Sequence, residues 1–231
     1  SMAEILDALV AGKVRLHPLT IVEGWTWREV RGALANAEFL VSTEDFGSPQ
    51  AMAAALSLPD AHIEGWLFPD TYKVPRGTTD LELLAQAAEM MQLRLAQVWE
   101  ERSADLPLDN PQQLLTLASI VERETSVDSE RARIAGVFVR RLQKRMRLQT
   151  DPTVIYGMGE DFHGNLSRRN LLTDTPYNTY TRAGLPPTPI AMPGEASLRA
   201  AAHPAEGEAL YFVASAELDG KHVFSATLEQ H

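Results

Sequence analysis

Two glutamates, Glu122 and Glu124, stand at the end of Leu117-Ala118-Ser119-Ile120-Val121-Glu122-Arg123-Glu124-Thr125. On a helix, at about 100° per residue, the apolar stripe centres near Leu114, Val121 and Thr125. The two carboxylates then fall on its opposite flanks, and Arg123 points directly away. A carboxylate at the edge of an apolar stripe is partly desolvated, which raises its pKa and lets it donate a proton near neutrality. This is general-acid chemistry, and helical geometry leaves both glutamates open for it. For this segment alone, the commoner reading is a pair of ordinary helix-end charges.

Two further segments suit a polar ligand. Gln149-Thr150-Asp151-Pro152-Thr153-Val154-Ile155-Tyr156 puts amide, hydroxyl and carboxylate beside an aromatic ring, a set that hydrogen-bonds to sugars. Tyr177-Asn178-Thr179-Tyr180, followed by Gly184-Leu185-Pro186-Pro187-Thr188-Pro189-Ile190, offers stacking faces and polar groups on a proline-stiffened loop. The metalloprotease, nucleotide-loop, nucleophile-elbow and dinucleotide signatures are absent from the sequence. The six histidines lack metal-ligand spacing, and His203 before Pro204 reads as a packing residue. No metal and no cofactor is expected.

The composition narrows the classes further. With 231 residues, 45% hydrophobic and 23% charged, the chain is of ordinary globular type. The absence of cysteine removes thiol catalysis and disulfides. A net charge of −10 is the wrong sign for sequence-independent nucleic-acid binding. Arg140, Arg141, Lys144, Arg145 and Arg147 are the local exception; they read as a solvated helix face, with an anionic ligand as the alternative. No apolar run approaches the ~20 residues of a membrane-spanning helix. Ser1-Met2 reads as a cloning remnant, so a natural anchor or signal upstream is expected.

The elements that must position these groups follow from caps and periodicity. Leu19–Val22 reads as a strand, and Thr26 with Glu29 as a capping box opening a helix to about Ala37. The stretch from Ser42 to Pro59 is expected to be partly helical, with starts at Ser42 with Asp45 and at Ser48 before Pro49. His62–Tyr72 reads as a second strand. Thr79 or Asp80 caps a long helix to Trp99, whose Leu and Met stripe is core. Asn110, Pro111 and Gln113 open the helix that carries the two glutamates, and another helix covers Ser129–Met146. After Arg147 the prolines predict loops and short strands, ending in a hairpin, Leu210–Ala214 with His222–Ser225, around an Asp219-Gly220 turn. Ile21-Val22-Glu23-Gly24-Trp25 and His62-Ile63-Glu64-Gly65-Trp66 echo each other, by chance or as two similar strand ends. The fold class is α+β, with central helices and small sheets at both ends.

Five motifs taken together resemble the YceG-like endolytic murein transglycosylases over essentially the full chain. They are Glu64-Gly65-Trp66-Leu67-Phe68-Pro69-Asp70-Thr71-Tyr72, Ala118 to Thr125, Leu148 to Tyr156, Tyr177 to Pro187, and Ala200-Ala201-Ala202-His203-Pro204. The resemblance implies a small LysM-like α/β subdomain over residues 1–60, truncated at its start, and a mixed α+β catalytic domain over 61–231. It implies a single inner-membrane helix ahead of both, with the catalytic domain in the periplasm. The implied activity cleaves the MurNAc-β-1,4-GlcNAc bond of peptidoglycan glycan strands to 1,6-anhydro-MurNAc ends, with Glu122 as the single acid/base and Glu124 as the fallback. Glu64, Tyr72, Glu124, Gln149, Thr150, Asp151, Tyr156, Asn178 and Tyr180 are the expected substrate-binding residues. The resemblance also suggests coupling to wall synthesis, strand termination and penicillin-binding proteins as partners. Two rivals remain: a hydrolytic muramidase in which Asp151 or Glu64 helps water attack, and a non-catalytic glycan-binding module.

Overall fold

In the computed structural model, residues 14–43, 48–217 and 220–231 are described. Ser1-Met2, Asp45 and Asp219 lie outside them. The architecture is mixed α+β. In chain order, strand β1 (Leu16–Thr20) precedes α1 (Trp27–Ala35) and α2 (Pro49–Ala55), and β2 (Thr71–Pro75) leads into the long α3 (Asp80–Glu100). Next come α4 (Pro111–Glu124), α5 (Asp128–Gln143), α6 (Asp151–Met158), α7 (Arg168–Leu172) and α8 (Glu195–Ala202), then the hairpin of β3 (Tyr211–Ala214) and β4 (His222–Ser225).

Helix starts fall where short-range hydrogen bonding puts them. Thr26 N–H donates to Glu29 at 2.7 Å, and Thr79 N–H to Glu82 at 2.8 Å, closing two capping boxes. Ser48 accepts from Ala51 N–H at 3.1 Å and Asn110 from Gln113 N–H at 3.0 Å. The Gln113 side chain accepts instead from Asp109 N–H, 2.8 Å away, one residue ahead of the cap.

Elsewhere the structure departs from the sequence reading. Residues 62–70 contain a turn, and the second strand begins only at Thr71, where it pairs antiparallel with β1 from Thr20↔Thr71 to Leu16↔Pro75. The region after Arg147, expected to be loops and short strands, contains α6, α7 and α8. Pro152 misled because it sits in the first turn of α6, where a missing N–H costs nothing. Ser167 caps α7 with Asn170 in place of the usual acid or glutamine.

Two buried clusters form the interior. One gathers Leu19, Ile21, Trp27, Val30, Tyr72, Val74 and the first half of α3, together with Met192. It therefore includes residues on both sides of position 60, and β1 and β2 share one sheet across it. The other surrounds α4, whose Leu114, Leu115, Leu117, Ala118, Ile120 and Val121 are all fully buried, with the second half of α3, α5 and α8. Because α3 runs through both clusters, the two are continuous.

Of the cations around the end of α5, Lys144, Arg145 and Arg147 are exposed as on a solvated face, whereas Arg140 is half-buried and Arg141 turns inward. Arg141 is buried and donates to Arg147 O, Leu148 O and Leu210 O at 3.0, 3.0 and 2.6 Å, so it fixes the turn that leads into α6. Arg140 holds Ala205 O and Ala209 O, and Arg147 holds Tyr180 O.

Candidate active site

The end of α4 is where the chain converges. Ser119 accepts the Ile190 N–H at 3.0 Å, and one turn later Glu122 accepts the Gly194 N–H at 2.9 Å. These two contacts lay residues 190–194 along the helix, because side chains three apart share a face. From the other side, Gly24 N–H donates to Met192 O at 2.9 Å and Met192 N–H to Trp25 O at 2.7 Å. Arg123, turned away from the core, donates to Gly24 O at 3.0 Å.

The sequence echo marks two matching turns. Trp25 N–H returns to Val22 O at 3.2 Å and Trp66 N–H to Ile63 O at 3.0 Å. Their third residues, Gly24 and Gly65, adopt φ of 78° and 83°, which favours glycine. Both turns flank the 189–194 segment, and each presents a glutamate. Glu64 is buried; it accepts Trp27 N–H at 2.9 Å and the Tyr156 hydroxyl at 3.1 Å. Glu23 lies beside Glu122. A methyl group on Gly194 would come within 1.9 Å of its carboxylate oxygen, so the bare glycine makes room for it.

An open cleft of about 600 Å³ is lined by Glu23, Glu122, Glu124, Arg123, Asp128 and Arg131, among others. Glu122 has only 6% of its side chain exposed, and its second oxygen is 3.7 Å from the Arg131 guanidinium. Arg131 is itself buried and held by Ser197 and Asp128. Glu124 diverges to the opposite flank, where it accepts the Thr150 hydroxyl. Burial pushes its carboxyl up to about 7, with Asp151 adding to the rise and the Thr150 hydrogen bond opposing it. Burial likewise raises Glu64 to about 7, against the bonds from Trp27 and Tyr156. Partial desolvation first, then the charge of Glu122, raises the largely exposed Glu23, and Arg131 opposes both.

The other expected residues divide into two groups. Tyr156 lines a second cleft of about 570 Å³ with Glu64, Trp27 and Tyr177, and its ring meets Tyr177 edge-on at 4.8 Å. Arg123 lines both clefts, which therefore adjoin. Thr150 is the N-cap of α6, and Asp151 next to it accepts the Tyr180 hydroxyl at 2.6 Å. Three residues bond to the scaffold, two of them buried and Gln149 exposed. Asn178 is buried and donates to Leu171 O and Thr173 O at 3.1 and 2.7 Å, while Tyr180 N–H donates to it at 2.8 Å. Gln149, at φ 54°, accepts from Arg141 at 3.1 Å. The Tyr72 hydroxyl donates to Phe68 O at 2.7 Å, inside the N-terminal cluster. Sequence reasoning passed over Glu23, Arg131 and Gly194; the echo was the one signal that could have singled out Glu23.

No group of three or more His, Asp or Glu suited to a metal occurs among the described residues. None of the described helices is long and apolar enough to cross a membrane.

The chain is similar to known proteins. An endolytic murein transglycosylase of Bacillus subtilis (strain 168) is 38% identical over 169 residues, covering 73% of this chain and 46% of that protein. One from Streptococcus pneumoniae serotype 2 is 30% identical over 244 residues, covering 94% of this chain and 43% of that protein. The chain thus spans less than half the length of these curated relatives. A crystal structure of a yceG-like protein from Listeria monocytogenes superposes with a TM-score of 0.77 at 30% identity, covering 100% of this chain and 80% of the other. The YceG-like family matches residues 1–231, and the chain belongs to that family.

Proposed function

We propose that this chain is the catalytic region of a peptidoglycan lytic transglycosylase that cuts the MurNAc-β-1,4-GlcNAc bond within glycan strands and leaves 1,6-anhydro-MurNAc ends. The observation that carries this reading is Glu122: a carboxylate fixed by the Gly194 N–H and facing Arg131, at the rim of an open cleft. The names of the relatives support the activity, and the ordered motifs support the choice of glutamate.

Glu122 protonates the glycosidic oxygen as the bond to the muramyl anomeric carbon breaks. The carboxylate left behind faces Arg131, which stabilises it. It then takes the proton of the same sugar's 6-hydroxyl as that oxygen closes on the anomeric carbon. One group serves both steps by alternating roles, and no water is consumed. Thr150, Asp151, Tyr156 and Tyr180 are the positioning groups on this reading. No metal or cofactor takes part. Residues 1–60 are the LysM-like part and 61–231 the catalytic part, and the turn around Glu23 brings the first part to the site. In the full-length protein an inner-membrane helix holds the domain in the periplasm, where it ends nascent strands beside penicillin-binding proteins.

The test is digestion of purified glycan strands followed by mass spectrometry. Wild type is expected to release fragments with the 1,6-anhydro mass deficit and Glu122→Gln none; ends without the deficit identify a hydrolytic muramidase. One observation favours a second reading. Glu124, raised to about 7 by burial, has the protonation a general acid needs at neutral pH. If Glu124→Gln is dead and Glu122→Gln retains full rate, that reading replaces the first.

A further inference from the structure

Glu23 is a charge that neither the fold nor the motifs account for. It stands at the second position of the Val22–Trp25 turn, is exposed, and among the described residues has no hydrogen-bond or ion-pair partner. Its carboxylate nevertheless lies against Gly194, the residue whose amide Glu122 holds. Two carboxylates from distant elements therefore converge on one backbone position, one on the N–H and the other in the space of the absent side chain. Both line the same open cleft. A glycan strand lying there meets the two groups together. Where one carboxylate handles the proton, a second can stabilise the cationic sugar that forms.

We propose that Glu23 is a second substrate-facing carboxylate of this reaction, placed to stabilise the positive charge at the anomeric carbon while Glu122 moves the proton. The inference rests on the assignment of Glu122 above. No bond forms to Glu23, and it neither gains nor loses a proton. The glycosidic oxygen takes the proton of Glu122 as its bond to the anomeric carbon breaks, and the 6-hydroxyl returns one as the new carbon–oxygen bond forms. A fixed charge beside a developing charge is the arrangement that lowers a barrier without reorganisation. Two consequences follow. The N-terminal turn is part of the catalytic centre, and Gly194 is glycine because Glu23 needs its space; its φ of −80° would accept any side chain.

The experiment compares Glu23→Gln, Gly194→Ala and the double variant with wild type and Glu122→Gln, using purified glycan strands, with thermal melting of each protein alongside. Glu23→Gln is expected to lower kcat on the order of 100-fold, the effect of losing one preorganised electrostatic partner, with KM and melting temperature little changed. Gly194→Ala keeps the amide donor for Glu122 and displaces only the end of Glu23, so it should lose rate comparably. The double variant should be no slower than Glu23→Gln alone, since both remove one interaction. Wild-type kcat in Glu23→Gln beside an inactive Glu122→Gln overturns this inference and leaves the Glu122 assignment standing. A lowered melting temperature with unchanged kcat makes Glu23 structural and also overturns it. An active Glu122→Gln overturns both.

Discussion

The Tyr156 hydroxyl donates to Glu64 at 3.1 Å, joining α6 to the Ile63–Trp66 turn across a sequence separation of 92 residues. The other oxygen of Glu64 accepts the first N–H of α1, from Trp27, so a single buried carboxylate ties together three pieces of the candidate site. Tyr156→Phe should cost roughly 1–2 kcal/mol, the effect of one lost hydrogen bond to a buried acceptor. Glu64→Ala should cost more, because it strands two donors. Chemical-denaturation midpoints check the order, and equal midpoints for both variants would contradict it.

Stability should depend on pH in the direction that buried acids dictate. Glu64 and Glu124 rise from 4.5 to about 7 on folding, so between these values the native state binds more protons than the unfolded chain. Their contribution is fully present below pH 4.5 and is lost as pH rises through 7, about 3 kcal/mol for each at most. The expected result is a melting temperature that falls from pH 5 to 7.5. The fall should be shallower in Glu64→Gln and Glu124→Gln, and unchanged slopes would place the titration elsewhere.

Thr150 holds down the protonation of Glu124, since its hydroxyl bonds to the charged carboxylate. Thr150→Val removes that donor, and the Glu124 midpoint should move upward from about 7. Carboxyl ¹³C NMR of the titrating side chain measures it directly. If Glu124 is the proton donor, the alkaline limb of the activity profile should move with it. A limb that stays put leaves Glu124 outside the reaction.

The two close-packed glycines should respond differently to one methyl group. At Gly65 the added carbon would lie 2.4 Å from Pro189 Cβ, and the backbone φ of 83° is unfavourable for alanine. Neither the proline ring nor the backbone can swing away, so Gly65→Ala should cost several kcal/mol through overpacking and strain together. At Gly194 only the flexible end of Glu23 is met, and folding should survive. Melting curves of the two variants side by side test this contrast, and a stable Gly65→Ala would refute it.

Local features are legible in the sequence. Capping by Thr26, Ser48, Thr79 and Asn110 acts within three residues, so the starts of α1, α2, α3 and α4 follow from residue type and spacing. The opposite flanks of Glu122 and Glu124 follow from helical periodicity, and the fold turns them to Gly194 and Thr150 respectively. The echoed turns are visible as a repeat, though their shared geometry is not. The helices after Arg147 escape a sequence reading because Pro152 and Pro193, which resemble loop markers, sit at or just before helix starts.

Only tertiary structure decided which polar groups remain available to a ligand. Asn178 is a polar residue within a motif suited to sugars, yet its buried side chain holds the Leu171 and Thr173 carbonyls. Glu23 lies in the echoed turn but in none of the five family motifs, and it reaches the cleft because the segment around Met192 pairs with its turn. The reason is range. Caps and periodicity are decided by neighbours a few residues apart, whereas Trp27 meets Glu64 across 37 residues and Gly194 meets Glu122 across 72. Pairings that distant depend on how the two buried clusters pack, and no local pattern specifies that.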